Sequence, residues 1–276
     1  MPGGVKQLKK RERANSILML IASGMLVWLL IILFASLTSP KIIASLQYVS
    51  SQSGQITLLD FLLSLLIALF ILYLVRRRHI FGTLVAMILS FLIFGGAAIY
   101  FSVELAFFLA MGLLIYERMY RSFISNNVFI LAAVLFGSLP IGLGYSVELI
   151  IMVLIIISVY DVLGVFATRF IPRLAATAVE QNVPLLLLAP RAHIAWKAKP
   201  NLKDSSAMLG AGDLFLPGIF IAAVSFSHTI PVALAVLAGA IIGGLINTIL
   251  ATVIKTGIPA MPMLAAGMII GYFLSI

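Results

Sequence analysis

Between Leu214 and Ile254 the chain runs forty-one residues without an Asp, Glu, Lys or Arg, and between Ala14 and Pro40 it runs another twenty-seven. About 20 apolar residues suffice for a helix to cross a hydrocarbon layer about 30 Å thick, so such runs belong in a bilayer. Composition agrees: 63% of residues are hydrophobic, 10% are charged and the mean hydropathy is +1.20. These values exclude a soluble globule and a disordered chain. The apolar runs are continuous rather than alternating, which excludes a β-barrel and leaves a helical bundle, whose backbone groups are satisfied within each span. The absence of cysteine removes disulfides, thiolate catalysis and Cys-ligated metals. His79, His193 and His228 are scattered without helical metal-ligand spacing, so neither a metal nor a cofactor is expected.

Cutting the chain at its charge and turn clusters gives nine spans. They run from Ser16 to Leu37, Ile56 to Val75, Ile80 to Tyr100, Val103 to Tyr116, Asn127 to Gly142, Val147 to Thr168, Ala207 to Phe226, Thr229 to Ile254 and Pro259 to Ser275. Lys6, Lys9, Lys10, Arg11 and Arg13 precede the first, but its apolar stretch is too long for the core of a signal peptide. The expectation is an all-α polytopic membrane protein.

The basic residues set its orientation. Of 18 Lys and Arg, only Lys41 falls in a loop on one face; the other seventeen flank alternate loops on the opposite face. Under the positive-inside rule the N-terminus is cytoplasmic and, with nine spans, the C-terminus is extracytoplasmic. The net charge of +9 is therefore topogenic and not a nucleic-acid footprint. Residues 1–276 read as one membrane-embedded domain of a multi-pass cell-membrane protein: helices 1–6 over 16–168, a cytoplasmic loop over 169–206, and helices 7–9 over 207–275. In the loop, Arg191, Lys197, Lys199 and Lys203 suit anionic lipid headgroups. A homo-oligomer is compatible with this reading.

Of nine acidic residues, Glu12, Glu117, Glu180 and Asp204 fall in cytoplasmic segments, Glu104 and Glu148 at external turns, and Asp60 near the external interface. Asp161 and Asp213 differ. Each is embedded in apolar sequence, IIISVYDVLGVF and MLGAGDLFLPG, where a carboxylate costs about 2.5 to 3.5 kcal/mol and is usually functional. Asp161 precedes Arg169 by eight residues and Asp213 follows Asp204 by nine. At about 1.5 Å per residue on antiparallel helices, both sit near the midplane, level with one another. Gly210 and Gly212 lie just before Asp213, either for tight helix packing or to let another chain approach the carboxyl. At the start of the last span, IPAMPM places Pro259 and Pro262 three residues apart, which predicts a partly unwound segment whose following helix directs its positive end toward the acids.

Tyr160-Asp161, the GxGD run Gly210-Ala211-Gly212-Asp213, and the PAL-like Pro259-Ala260-Met261 lie in that order on the sixth, seventh and ninth spans. In this the chain resembles the intramembrane aspartyl proteases of the presenilin and signal peptide peptidase type, most of all an archaeal presenilin homologue. The resemblance covers nearly the whole chain. It implies that Asp161 and Asp213 form a catalytic dyad and that Tyr160, Gly210, Ala211, Gly212, Pro259, Ala260, Met261 and Pro262 support the site or contact substrate. Met261 stands where the family has leucine, a change that conserves volume. The cytoplasmic N-terminus is similar to presenilin and opposite to signal peptide peptidase.

Two carboxyls in one site cannot both ionise cheaply, so such a pair holds a single proton, activates water and hydrolyses a peptide bond without a covalent intermediate. The expected substrates are single-span membrane proteins whose helices unwind at a cytoplasm-open cavity. Val183 to Ala189 reads either as a strand accepting the unwound chain or as a surface loop, with Pro184 and Pro190 disfavouring a helix. The rival reading is a proton-coupled transporter or ion channel using the same acids. A type IV prepilin peptidase matches less well, lacking the PAL-like segment.

Overall fold

A computed structural model describes residues 2–38, 81–168, 170–191, 194, 196–201, 203–254 and 258–276. The expected second span with Asp60, together with Lys41, Arg76 to Arg78, His79, Arg169, His193 and Lys255, lies outside the described residues. In chain order the elements are α1 (Pro2–Leu37), α2 (Phe81–Ala97), α3 (Val103–Tyr120), α4 (Phe123–Gly144), α5 (Val147–Val162), a π-turn (Leu163–Ala167), α6 (Phe170–Glu180), β1 (Leu186–Pro190), β2 (Ser205–Gly210), α7 (Gly212–Ser227), α8 (Ile230–Ile254) and α9 (Met261–Ser275).

Serines set three helix starts. Ser102 accepts from the Leu105 amide, Ser146 accepts from the Leu149 amide, and Ser122 exchanges hydrogen bonds with Ser125 in a capping box, each satisfying an orphan N–H. Arg121, at φ 43°, ends α3 in the left-handed region. Four helices have stretches long and apolar enough to cross a membrane, at Ala14–Leu37, Phe123–Gly144, Val147–Ala167 and Ile230–Ala251. Three shorter apolar helices accompany them, at Phe81–Ala97, Gly212–Ser227 and Met261–Ser275. Phe91 is 71% exposed and Leu274 83% exposed, on outward surfaces that lipid accommodates and water does not. The polytopic helical membrane architecture therefore stands.

α7 lies at the centre, touching α1, α4, α5, α8 and α9. Its residues Phe220, Ile221, Ala222 and Val224 are fully enclosed in the main core. α8 and α9 pack most closely, because a Cβ on Gly239 would collide with the carbonyl of Gly267; the glycines let the two backbones touch. This close pairing fixes the start of α9 beside the acids.

Several boundaries differ from the sequence reading. The fold is not purely helical, since β1 pairs antiparallel with β2, Leu187 opposite Leu209 and Ala189 opposite Ala207. Residues 207–210, expected to begin the seventh span, are strand, and α7 starts only at Gly212. Asp213 consequently sits in the first turn of its helix, and its distance from Asp204 is spanned by strand at about 3.3 Å per residue rather than helix at about 1.5 Å. α3 continues past Tyr116 because Glu117 is buried against Arg118 at 3.3 Å instead of breaking the helix. α4 begins at Phe123, four residues ahead of the expected Asn127, and the loop between α5 and α7 contains α6.

Candidate active site

Asp161 occupies the last turn of α5, immediately before a π-turn in which the Thr168 amide reaches back to the Leu163 carbonyl at 3.0 Å. Such widened turns recur at functional sites. Asp161 is 8% exposed, and its Oδ2 accepts the Met261 N–H at 3.0 Å. Ala260 is the N-cap position of α9 and has no side-chain cap of its own, so Asp161 caps that helix from across the bundle. The proline-rich start of α9 thus delivers its free amides to a carboxylate, where the helix dipole favours negative charge.

Asp213 lines the same cavity as Asp161, from the first turn of α7. Its carboxylate lies against the Gly210 backbone. A Cβ on Gly210 would stand 2.9 Å from Asp213 Oδ2 and displace the carboxyl from its present position. Gly212 meets nothing within 4 Å of an added Cβ and instead opens its backbone to the cavity. The two glycines therefore serve different ends, one seating the carboxyl and the other leaving room before it.

Both acids open onto one cavity of about 330 Å³. Of the residues expected at the site, Tyr160, Asp161, Gly210, Ala211, Gly212, Asp213, Ala260 and Met261 line it; Pro259 and Pro262 do not. Tyr160 is 41% exposed at the cavity mouth, and Met261 is buried in the core while its amide holds Asp161. Asp213, Gly210, Ile258 and Ala260 also line a second cavity of about 240 Å³, enclosed by Ile17, Leu20 and Ile21 of α1 and by Asn247, Thr248 and Ala251 of α8. Asp213 forms part of the wall between the two. Among the described residues no group of His, Asp and Glu suits a metal ion.

Three contributors escaped the sequence reading. Trp28 of α1 donates Nε1–H to the Leu214 carbonyl at 3.0 Å, pinning the turn that carries Asp213. Pro217 lacks the amide that would pair with the Asp213 carbonyl, so this turn has one helical bond fewer than its neighbours. Asn126 and Asn127 of α4 occupy the outer edge of β1: Asn127 exchanges two hydrogen bonds with Leu188, at 2.9 and 2.8 Å, and Asn126 donates to the Leu186 carbonyl at 2.8 Å. A pair of carboxamides opening an apolar helix was the available signal.

The model of the family described as signal-peptide peptidase, presenilin aspartyl protease matches residues 9–276. Among curated proteins none matches the chain. Two crystal forms of a presenilin family intramembrane aspartate protease share the fold. The C222 form aligns at TM-score 0.55 and 15% identity, covering 93% of this chain and 94% of the other; the P2 form aligns at 0.54 and 17%, covering 91% and 95%.

Proposed function

The chain belongs to the signal-peptide peptidase and presenilin aspartyl protease family, an aspartic endopeptidase of the membrane, and from that premise we propose that Asp161 and Asp213 hydrolyse peptide bonds within the spans of membrane-protein substrates by activating water. The carrying observation is that both carboxyls open onto one cavity whose rim is the Ala260-Met261 backbone bonded to Asp161. The pair holds one proton. Its ionised member takes a proton from water as the water oxygen attacks the carbonyl carbon, while the protonated member gives its proton to the carbonyl oxygen. The resulting gem-diol collapses as the protonated carboxyl gives its proton to the departing nitrogen and the other carboxylate takes one from a gem-diol hydroxyl, so that the C–N bond breaks, the C=O re-forms and the pair again holds one proton. Tyr160, Ala211 and Gly212 contact the substrate around this point, with Gly210 and the Pro259 to Pro262 segment holding the acids in place.

The substrate strand adds to β2 rather than to β1. Both edges of β1 are occupied, one by β2 and the other by Asn126 and Asn127. With Leu209 and Ala207 directed toward β1, the alternation of an antiparallel ladder turns the N–H and C=O of Met208 outward, into the 240 Å³ cavity. An unpaired backbone edge at a membrane surface is costly and suits an incoming strand. The full architecture is nine spans with the N-terminus cytoplasmic, on the strength of the basic-residue asymmetry.

The test is incubation of purified, detergent-solubilised protein with a single-span reporter. Fragments whose new termini lie inside the span, lost in Asp161→Asn and in Asp213→Asn, are the expected outcome. Ion or proton flux in proteoliposomes without any fragment would overturn it.

A further inference from the structure

Asn247 lies in α8, seven residues before its end at Ile254, roughly 10 Å along the helix and well inside the apolar stretch. It is the only carboxamide between Leu214 and Ile254. Its Oδ1 is buried without a hydrogen-bond partner among the described residues, a costly condition at membrane depth. Its neighbour Thr248 is satisfied within the helix, donating to the Gly244 carbonyl at 2.8 Å. Both line the 240 Å³ cavity, whose other walls include Ala207, Met208, Leu209 and Gly210 of β2.

The opposite side of the sheet shows how this protein finishes a strand edge: the Asn127 carboxamide takes one N–H and returns one hydrogen bond to a carbonyl on the outer edge of β1. We infer that Asn247 does the same for the substrate: its carboxamide, at the cavity wall, turns its buried oxygen toward the cavity and accepts a hydrogen bond from a backbone N–H on the far edge of the strand that adds to β2. Strands in a sheet lie about 4.8 Å apart, and a strand paired on one side presents its remaining N–H and C=O groups on the other. In this arrangement a helix carboxamide closes each end of a three-stranded sheet, Asn127 beyond β1 and Asn247 beyond the substrate. Asn247 is thus a substrate-positioning residue that reads main chain and not side chain. The inference rests on strand addition to β2.

The experiment uses the full chain in detergent and synthetic single-span reporters in which one amide at a time, on either side of the scissile bond, is replaced by an ester, exchanging the N–H for oxygen. With wild-type protein, the ester at one position is expected to raise KM roughly three- to tenfold, the range a neutral hydrogen bond supplies. In Asn247→Ala and Asn247→Leu the amide reporter binds more weakly by a similar factor and that ester costs nothing further, while Asn247→Gln restores part of the ester's effect. A packing role would leave every ester penalty unchanged in the variants, and that result overturns the inference, as does loss of folded protein in both Ala and Leu variants by thermal melting. An inactive wild type, or cleavage surviving Asp161→Asn, would instead remove the protease reading and this inference with it.

Discussion

Gly210→Ala isolates how the fold seats one acid. The new Cβ would lie 2.9 Å from Asp213 Oδ2 and 3.4 Å from its Cγ. Ordinary van der Waals contact for a Cβ begins near 3.4 Å, so the carboxyl must retreat by about half an ångström or rotate away from residue 210. Misplacing a reacting group by 1 Å costs roughly 10²-fold in rate, which scales to about tenfold here. The loss belongs in kcat, since the reporter is still bound. Gly212→Ala is the internal control: its Cβ meets nothing within 4 Å, so kcat stays within about twofold and any change falls on KM, where the added methyl narrows the cavity. Both are read by quantifying fragments from a single-span reporter across substrate concentrations. Equal kcat losses in the two variants, or an unimpaired Gly210→Ala, would refute the assignment of separate roles to the two glycines.

Trp28→Phe keeps the ring and removes the donor to the Leu214 carbonyl, so thermal unfolding in detergent should show a loss of about 1 kcal/mol. Asn127→Leu strips two hydrogen bonds from Leu188 and leaves the outer edge of β1 unsatisfied, costing about 2 to 4 kcal/mol by the same measurement and raising amide exchange at Leu188. Met261→Leu conserves volume at a residue 3% exposed and leaves the backbone amide to Asp161 in place, so reporter cleavage should remain within about twofold and stability within about 1.5 kcal/mol.

The helices and the two acids were legible because their signals are local: an uninterrupted apolar run declares a span, and a carboxylate inside one stands out. The cavity's lining followed from Asp161, Asp213 and the glycines around them. The strand β2 was not legible, because Ala207-Met208-Leu209-Gly210 is a short apolar run that periodicity cannot divide between strand and helix. Pro184 and Pro190 marked β1 as non-helical, but not that both its edges are taken; that depended on β2 and on Asn126 and Asn127, the latter some 60 residues away in sequence. Glu117 was read as a span end because burial of a charge beside Arg118 is a tertiary event with no local signature. Asn247 carries no local signal, because its place beside the cavity next to β2 is set by tertiary packing.

The most direct test of the two-aspartate account compares reporter cleavage by Asp161→Asn, Asp213→Asn and the double variant, all purified as folded protein. Groups that share one proton and one water fail as a unit, so each single substitution should abolish cleavage to the background rate and the double should be no worse than either. Substantial cleavage by one single variant, or losses that multiply in the double, would mean that the two carboxyls do not act together.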